Sequence, residues 1–215
     1  VTRPLVSVLT PTWKRPRLLL GAIENVRSQT YRPLEHVIVS DGPDPATSRV
    51  AVAALDCADT ADVLVRYVPL GRNWSAYLHD SFCAAPITVA MLLAGGEYQV
   101  WLADDERMAP DHIESLVDAL EAACPERSRG GADFAYSKVE MRWYDNRTAP
   151  WVIGTDPPRL GGITNCLYRA DLLKRGLFPF GAGMTADWAC ISQWQSRGAV
   201  HAFVDRVTLT HVVDH

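Results

Sequence analysis

A regular alternation of short apolar runs with helical patterns constrains this chain most. Leu5–Thr10 is a β-rich run ended by Pro11-Thr12, and from Pro16 onward Leu19, Ile23 and Val26 recur at helical spacing. His36–Val39 reads as a second strand, stopped by Ser40-Asp41-Gly42-Pro43; Thr47–Leu55 reads as a helix and Val63–Val68 as a third strand. Pro86–Ala94 is expected to be helical with Gly95-Gly96 as its C-cap, and Val100–Leu102 to be a fourth strand. Pro110–Ala123 is amphipathic, with Ile113, Leu116, Val117 and Leu120 on one face. Such alternation predicts an α/β fold, a mostly parallel central sheet flanked by helices.

The second half is less regular. Phe134–Tyr144 reads as a long strand, Arg147–Gly162 as a Pro/Gly-rich loop and candidate lid, Ala170–Arg175 and Asp187–Arg197 as helices, and Val200–Val204 as a strand. No linker-like boundary breaks the 215 residues, so one domain is expected. Hydrophobic residues at 48% are enough for a sizeable core, and a net charge of -4 argues against a general nucleic-acid binder. No apolar run approaches a transmembrane span, and Val1-Thr2-Arg3-Pro4 leads into a strand without a signal-peptide pattern. The five cysteines are scattered without metal spacing and read as reduced thiols, so a cytoplasmic location is expected.

In parallel α/β sheets ligands bind beyond the carboxyl ends of the strands. Thr12-Trp13, Asp41 and Asp104-Asp105 all fall at such ends, so three separated segments converge on one crevice. The acidic run Asp104-Asp105-Glu106 follows the apolar approach Tyr98–Leu102, and three adjacent carboxylates there repel one another unless something positive joins them. Oxygen ligands favour a hard cation such as Mg or Mn, and a metal held by one or two carboxylates usually also holds substrate phosphates. The run thus points to a metal-diphosphate site, the alternative being a solvated turn that opens the next helix. Within it Asp105 is the candidate metal ligand and Asp104 a contact to ribose or to a metal-bound water, while Glu106 is expected to face the following helix. No Gly-rich phosphate loop of the dinucleotide or P-loop type is present.

Other residues have two readings each. Asp41 can accept from a base N–H or ribose hydroxyls, or close an Asx turn. Trp13 can stack on a base or simply pack; Arg15 and Arg72 can face phosphates or solvent. Asp187, at a predicted helix start, is either a general base for an incoming hydroxyl or a first-turn acid. His211 and His215 can add a metal ligand or lie exposed. Trp143, Tyr144 and Trp151 can line an acceptor site or the core.

Taken together these segments resemble family 2 glycosyltransferases. Val6–Arg15 (VSVLTPTWKR) is similar to that family's opening strand, where Pro-Thr-aromatic-Asn-Arg is usual. Gln29-Thr30-Tyr31 and Val37–Gly42 match the next landmarks, and Gly96-Glu97-Tyr98 through Asp104-Asp105 to Met108-Ala109-Pro110-Asp111 matches the metal-motif region. Ala186-Asp187-Trp188 is similar to the Glu-Asp-Trp segment that carries the base. Ala103 stands at the first position of the usual Asp-x-Asp, and Asp104-Asp105 resembles the variant of the spore-coat polysaccharide glycosyltransferase. Lys14 replaces the usual Asn, and Ala186 the usual Glu.

The resemblance implies a GT-A fold, with residues 1–110 as nucleotide-sugar half and 111–215 as acceptor half. It implies a nucleotide-diphospho-sugar donor, UDP being commonest with dTDP or GDP open, an acceptor hydroxyl on a carbohydrate or other compound, and inversion at the anomeric carbon. Pro11, Thr12, Trp13, Arg15, Asp41 and Arg72 would surround the nucleotide, Asp104 the ribose, Asp105 with His211 or His215 the Mn or Mg ion, and Asp187 would be the base, with Asp156 and Asp171 next in line. A sugar-nucleotide pyrophosphorylase and a non-catalytic nucleotide-sugar binder are the alternatives, and homo-oligomerisation is left open.

Overall fold

The computed structural model describes residues 3–56, 63–79, 83–123, 130–146, 148–158, 166–175 and 186–213. The first half runs β1 (Val6–Thr12), α1 (Pro16–Arg27), β2 (Leu34–Ser40), α2 (Pro45–Asp56), β3 (Val63–Pro69), the short α3 (Trp74–Tyr77), α4 (Ala84–Leu93) and β4 (Tyr98–Trp101). The second half runs β5 (Glu106–Met108), α5 (His112–Ala122), β6 (Phe134–Trp143), β7 (Trp151–Ile153), β8 (Leu167–Arg169), a 3-10 helix (Ala170–Arg175), α6 (Ala186–Ser196) and β9 (His201–Val213). The strands lie in the order β3-β2-β1-β4-β8-β6-β9-β5, with β7 paired to β6. The long ladders β3/β2/β1/β4 and β6/β9 are parallel, while the short pairings of β8, β5 and β7 are antiparallel.

The expected α/β architecture is present. β1, β2 and β4 are buried on both faces, the polar Ser7, Thr10, Glu35, His36 and Gln99 included, with one apolar cluster packing under α1 and α5 and another under α4 and α6. α1 buries Leu19, Ala22, Ile23 and Val26, the stripe read from its spacing plus one alanine. Burying a large aliphatic side chain stabilises by about 1.5–3 kcal/mol, so the stripe outweighs the marginal stability of an isolated twelve-residue helix.

Several boundaries differ from expectation. Pro11 lies inside β1 opposite Val39 rather than ending it. Leu9 C=O accepts from Leu102 N–H, so odd residues of β1 face β4; that pairing stops at Leu9–Trp101, and the missing Pro11 N–H costs nothing. Gly95-Gly96 is not a left-handed C-cap, since α4 ends at Leu93 and Ala94 is extended. The two amides instead donate to Glu35 Oε2 (2.8 Å) and Ser7 Oγ (2.9 Å). The loop expected from residue 147 to 162 contains β7, whose Trp-Val-Ile pairs with β6; Arg147 and residues 159–162 lie outside the described residues. β9 continues well past Val204, because the exposed Asp205-Arg206 is a bulge and not a strand end. Residues 170–175 form a 3-10 rather than an α-helix.

Gly96 is fixed by space. A Cβ there would stand 2.6 Å from Ser7 Oγ, 2.7 Å from Tyr98 O and 2.8 Å from Leu5 O, two of them backbone atoms. Gly96→Ala should lower stability by about 1–3 kcal/mol. Urea unfolding checks this, and an unchanged midpoint would contradict it.

Candidate active site

The carboxyl ends of β1, β2 and β4 meet as expected. Asp104 is 4% exposed, and both its oxygens are engaged: Thr12 Oγ1 donates to Oδ2 at 2.7 Å and Arg15 Nη1 to Oδ1 at 3.2 Å. The same Arg15 nitrogen donates to Asp105 Oδ2 at 2.8 Å. Burial first, then the neighbouring Asp105 charge, pushes the Asp104 carboxyl up, against the lowering by Thr12 and Arg15. Burial would lower the Arg15 guanidinium, but the two carboxylates outweigh it and hold it above its ordinary value. The positive group that the run requires is therefore supplied within the chain by Arg15, which faces carboxylates rather than solvent alone.

Arg15 reaches this position because the chain turns sharply after β1. Lys14 takes a left-handed φ of 54°, a conformation that Asn adopts more readily than Lys. The Lys14 ammonium lies 4.8 Å from the Trp13 ring centre. Trp13 packs against Gly42, where an added Cβ would meet the indole at 2.7 Å and Asn73 N at 2.8 Å, and where φ is +118°.

Asp41, 1% exposed, accepts Trp74 N–H on Oδ1 (2.8 Å) and Ser75 N–H on Oδ2 (3.1 Å), while Asn73 Oδ1 accepts Ala76 N–H at 2.6 Å. The two side chains thus satisfy the free amides of α3. Arg72 lies over the rings of Trp74 (5.3 Å) and Tyr77 (5.0 Å) at the exposed rim. Cys83, which the sequence did not single out, joins the crevice: burial first, then Asp41 and Asp104, pushes its thiol up to about 12.

Glu106 does not face the following helix. It begins β5 opposite His211, is 3% exposed, and spans the acidic turn: Oε2 accepts Ala103 N–H at 2.9 Å, and Oε1 lies 3.1 Å from His211 Nδ1. Burial alone would lower the His211 ring, but the Glu106 hydrogen bond and charge, with the nearby Asp105 charge, raise it. No signal near residue 106 marks this role, because its partner lies 105 positions away. Asp187 opens α6 and accepts Trp188 N–H at 2.7 Å. Burial first pushes its carboxyl up to about 6, the Trp188 N–H opposes this and the Glu106 charge adds to it. Asp156 instead pairs with His201 at 2.9 Å, at the other end of β9 from His211, and Asp171 sits in the 3-10 helix. His215 lies outside the described residues.

The donor set suits a hard divalent cation. Asp105 is partly open, and His211 has Nδ1 committed to the Glu106 carboxylate, which fixes the ring and leaves Nε2 for a metal. Among the described residues no group of three or more His, Cys, Asp or Glu is arranged to hold a metal by itself. A metal here would complete its shell with phosphate oxygens and water.

The chain belongs to glycosyl transferase family 2, whose family profile matches residues 7–177. It is 30% identical over 118 residues to the putative colanic acid biosynthesis glycosyl transferase WcaA of Escherichia coli, covering 53% of this chain and 37% of that protein. It is 30% identical over 162 residues to the glucosyl-dolichyl phosphate glucuronosyltransferase of Haloferax volcanii, covering 73% and 46%. The chain therefore spans less than half the length of these relatives. Its fold is that of S. aureus TarS in complex with UDP-GlcNAc (TM-score 0.69, 17% identity, 98% of this chain and 59% of that one). It is also that of the mannosyltransferase PcManGT from Pyrobaculum calidifontis in complex with GDP-Man and Mn2+ (TM-score 0.66, 18% identity, 99% and 57%). These likenesses establish the GT-A fold. No described helix is long and apolar enough to cross a membrane.

Asp41→Ala would leave the Trp74 and Ser75 amides without their acceptor. It should cost about 1–3 kcal/mol of stability and make the 70–79 segment susceptible to limited proteolysis. Wild-type resistance to protease would contradict the anchoring role.

Proposed function

We propose that this chain is an inverting glycosyltransferase domain that moves a sugar from a nucleotide-diphospho-sugar to an acceptor hydroxyl, with Asp187 as general base. The observation that carries this reading is the Asp104-Asp105 pair bound to Arg15 at the ends of the parallel strands, with Asp187 raised to about 6 by burial and by the charge of Glu106, the residue that follows that pair. The first suits an anionic leaving group and the second suits proton removal near neutral pH.

In this reading residues 1–110 hold the donor and 111–215 the acceptor. Thr12 fixes Asp104, which turns Oδ1 to the ribose; its present bond to Arg15 at 3.2 Å is the longer of Arg15's two. Asp105 and His211 would hold Mn or Mg, with His215 a further candidate. When bound, the ion acts as a Lewis acid that stabilises the departing diphosphate. Arg15, relieved of Asp105, meets a phosphate oxygen, and Arg72 does so from the α3 loop. Trp13 and Asp41 flank the base, Asp41 by shaping the loop that α3 begins. Asp187 takes the proton of the acceptor hydroxyl as that oxygen attacks the face opposite the leaving group. UDP as the donor nucleotide is supported by the TarS complex with UDP-GlcNAc, and the PcManGT complex with GDP-Man keeps GDP as the alternative. A cytoplasmic location is supported by the free thiols of Cys83, Cys166 and Cys190.

Nucleoside diphosphate release from UDP- and GDP-sugars with Mn and an acceptor panel tests the activity. Pyrophosphate-dependent nucleoside triphosphate formation would mark a pyrophosphorylase, and tight donor binding without turnover would mark a non-catalytic binder. Asp105→Ala should abolish the Mn-dependent part of donor affinity in calorimetry; unchanged Mn-dependence would contradict its assignment. The wild-type rate should rise with pH through about 6, as Asp187 loses its proton. Asp187→Asn should lower turnover by roughly 10²–10⁴-fold and flatten that limb while donor binding persists. Near-normal turnover would place the base elsewhere.

A further inference from the structure

The strand register carries one rung of side chains from the site to the outer edge of the second half. Glu106 of β5 pairs with His211 of β9, His211 with Met141 of β6, and Met141 with Trp151 of β7. Paired residues on neighbouring strands present their side chains to the same face, so Trp151 shares the face of Glu106 and His211. Trp143, two residues beyond Met141, returns to that face, and its ring centre lies 5.8 Å from that of Trp151 at 45°. Met141 between them packs against the core and offers no polar group. Trp151 is nevertheless 39% exposed and Trp143 only half-buried. A cross-strand pair alone would stabilise the hairpin by under about 1 kcal/mol, and smaller β-branched residues would do so without the open indole surface.

We infer that Trp143 and Trp151 form a stacking platform for a sugar ring of the acceptor. The inference rests on the glycosyltransferase reading above. Two strand spacings separate Trp151 from His211, about 10 Å, so the platform lies beside the site rather than in it. An acceptor of at least two rings, an oligosaccharide or glycosylated compound, would cover the platform and the site together. The C–H face of a pyranose is apolar and covers an indole well, while its hydroxyls stay in water at the rim.

The test measures two properties separately on wild type, Trp151→Val and Trp151→Phe. Calorimetry with UDP and with GDP in the presence of Mn reads the donor site. Saturation-transfer NMR with cellotetraose, mannotetraose and chitotetraose, each against its monosaccharide, reads the platform. At least one tetrasaccharide should bind wild type better than its monosaccharide, lose about tenfold in affinity in Trp151→Val, and recover in Trp151→Phe, with nucleotide affinity equal in all three. Equal tetrasaccharide binding to Trp151→Val, or none to wild type, would overturn the platform. Trp151-dependent capture by phosphatidylglycerol vesicles without sugar binding would also overturn it, in favour of a membrane contact. Trp151-dependent sugar binding with no affinity for UDP or GDP would support the platform and remove the donor reading instead.

Discussion

Two adjacent carboxylates at the end of β4, one of them almost fully buried, are the constraint on which the crevice depends. Asp104 can stay buried because Thr12 at the end of β1 and Arg15 at the start of α1 both donate to it. Arg15 reaches it because the chain reverses through a left-handed Lys14. The ends of β1 and β4 and the entry to α1 are thereby fixed relative to one another by charge as well as by packing. In the proposed function, a divalent cation bearing diphosphate would compete with the arginine for Asp105, and the phosphate would give the arginine a new partner.

A third carboxylate, Glu106, joins the two halves of the molecule. Glu106 holds the backbone of the acidic turn through Ala103 and the side chain of His211 across the β5/β9 ladder. Its charge also contributes to the elevated Asp187 carboxyl. His211, proposed for the leaving-group side, and Asp187, proposed as the base, thus both feel one buried carboxylate.

The sheet's first half was legible because its signals are local. Apolar runs of β1, β2 and β4, Pro16 at a helix start and the Leu19/Ile23/Val26 stripe each specify their own element. The crevice followed from topology alone, since Thr12, Asp41 and Asp104 terminate parallel strands. What could not be read depends on distant partners. β5 is three residues long with two charges, and it is a strand only because β9 lies beside it. β9 itself extends through the polar Asp205-Arg206, which a local reading takes as a stop. Gly95-Gly96 looked like a cap because that is the commonest local use of glycine; its actual cause is the close approach of β1, invisible without the fold. Asp41 illustrates a site residue with a structural task, because both its oxygens hold the α3 loop in the same crevice.

The most direct measurement is a crystal structure of the protein with UDP and Mn, repeated with GDP. The diphosphate should lie beside Asp105 and His211 with the metal between them, Arg15 should have left Asp105 for a phosphate oxygen, and the base should sit between Trp13 and the loop held by Asp41. A nucleotide bound away from the ends of β1 and β4, or one bound there with the Arg15–Asp105 ion pair intact and no metal, would contradict this assignment of the site.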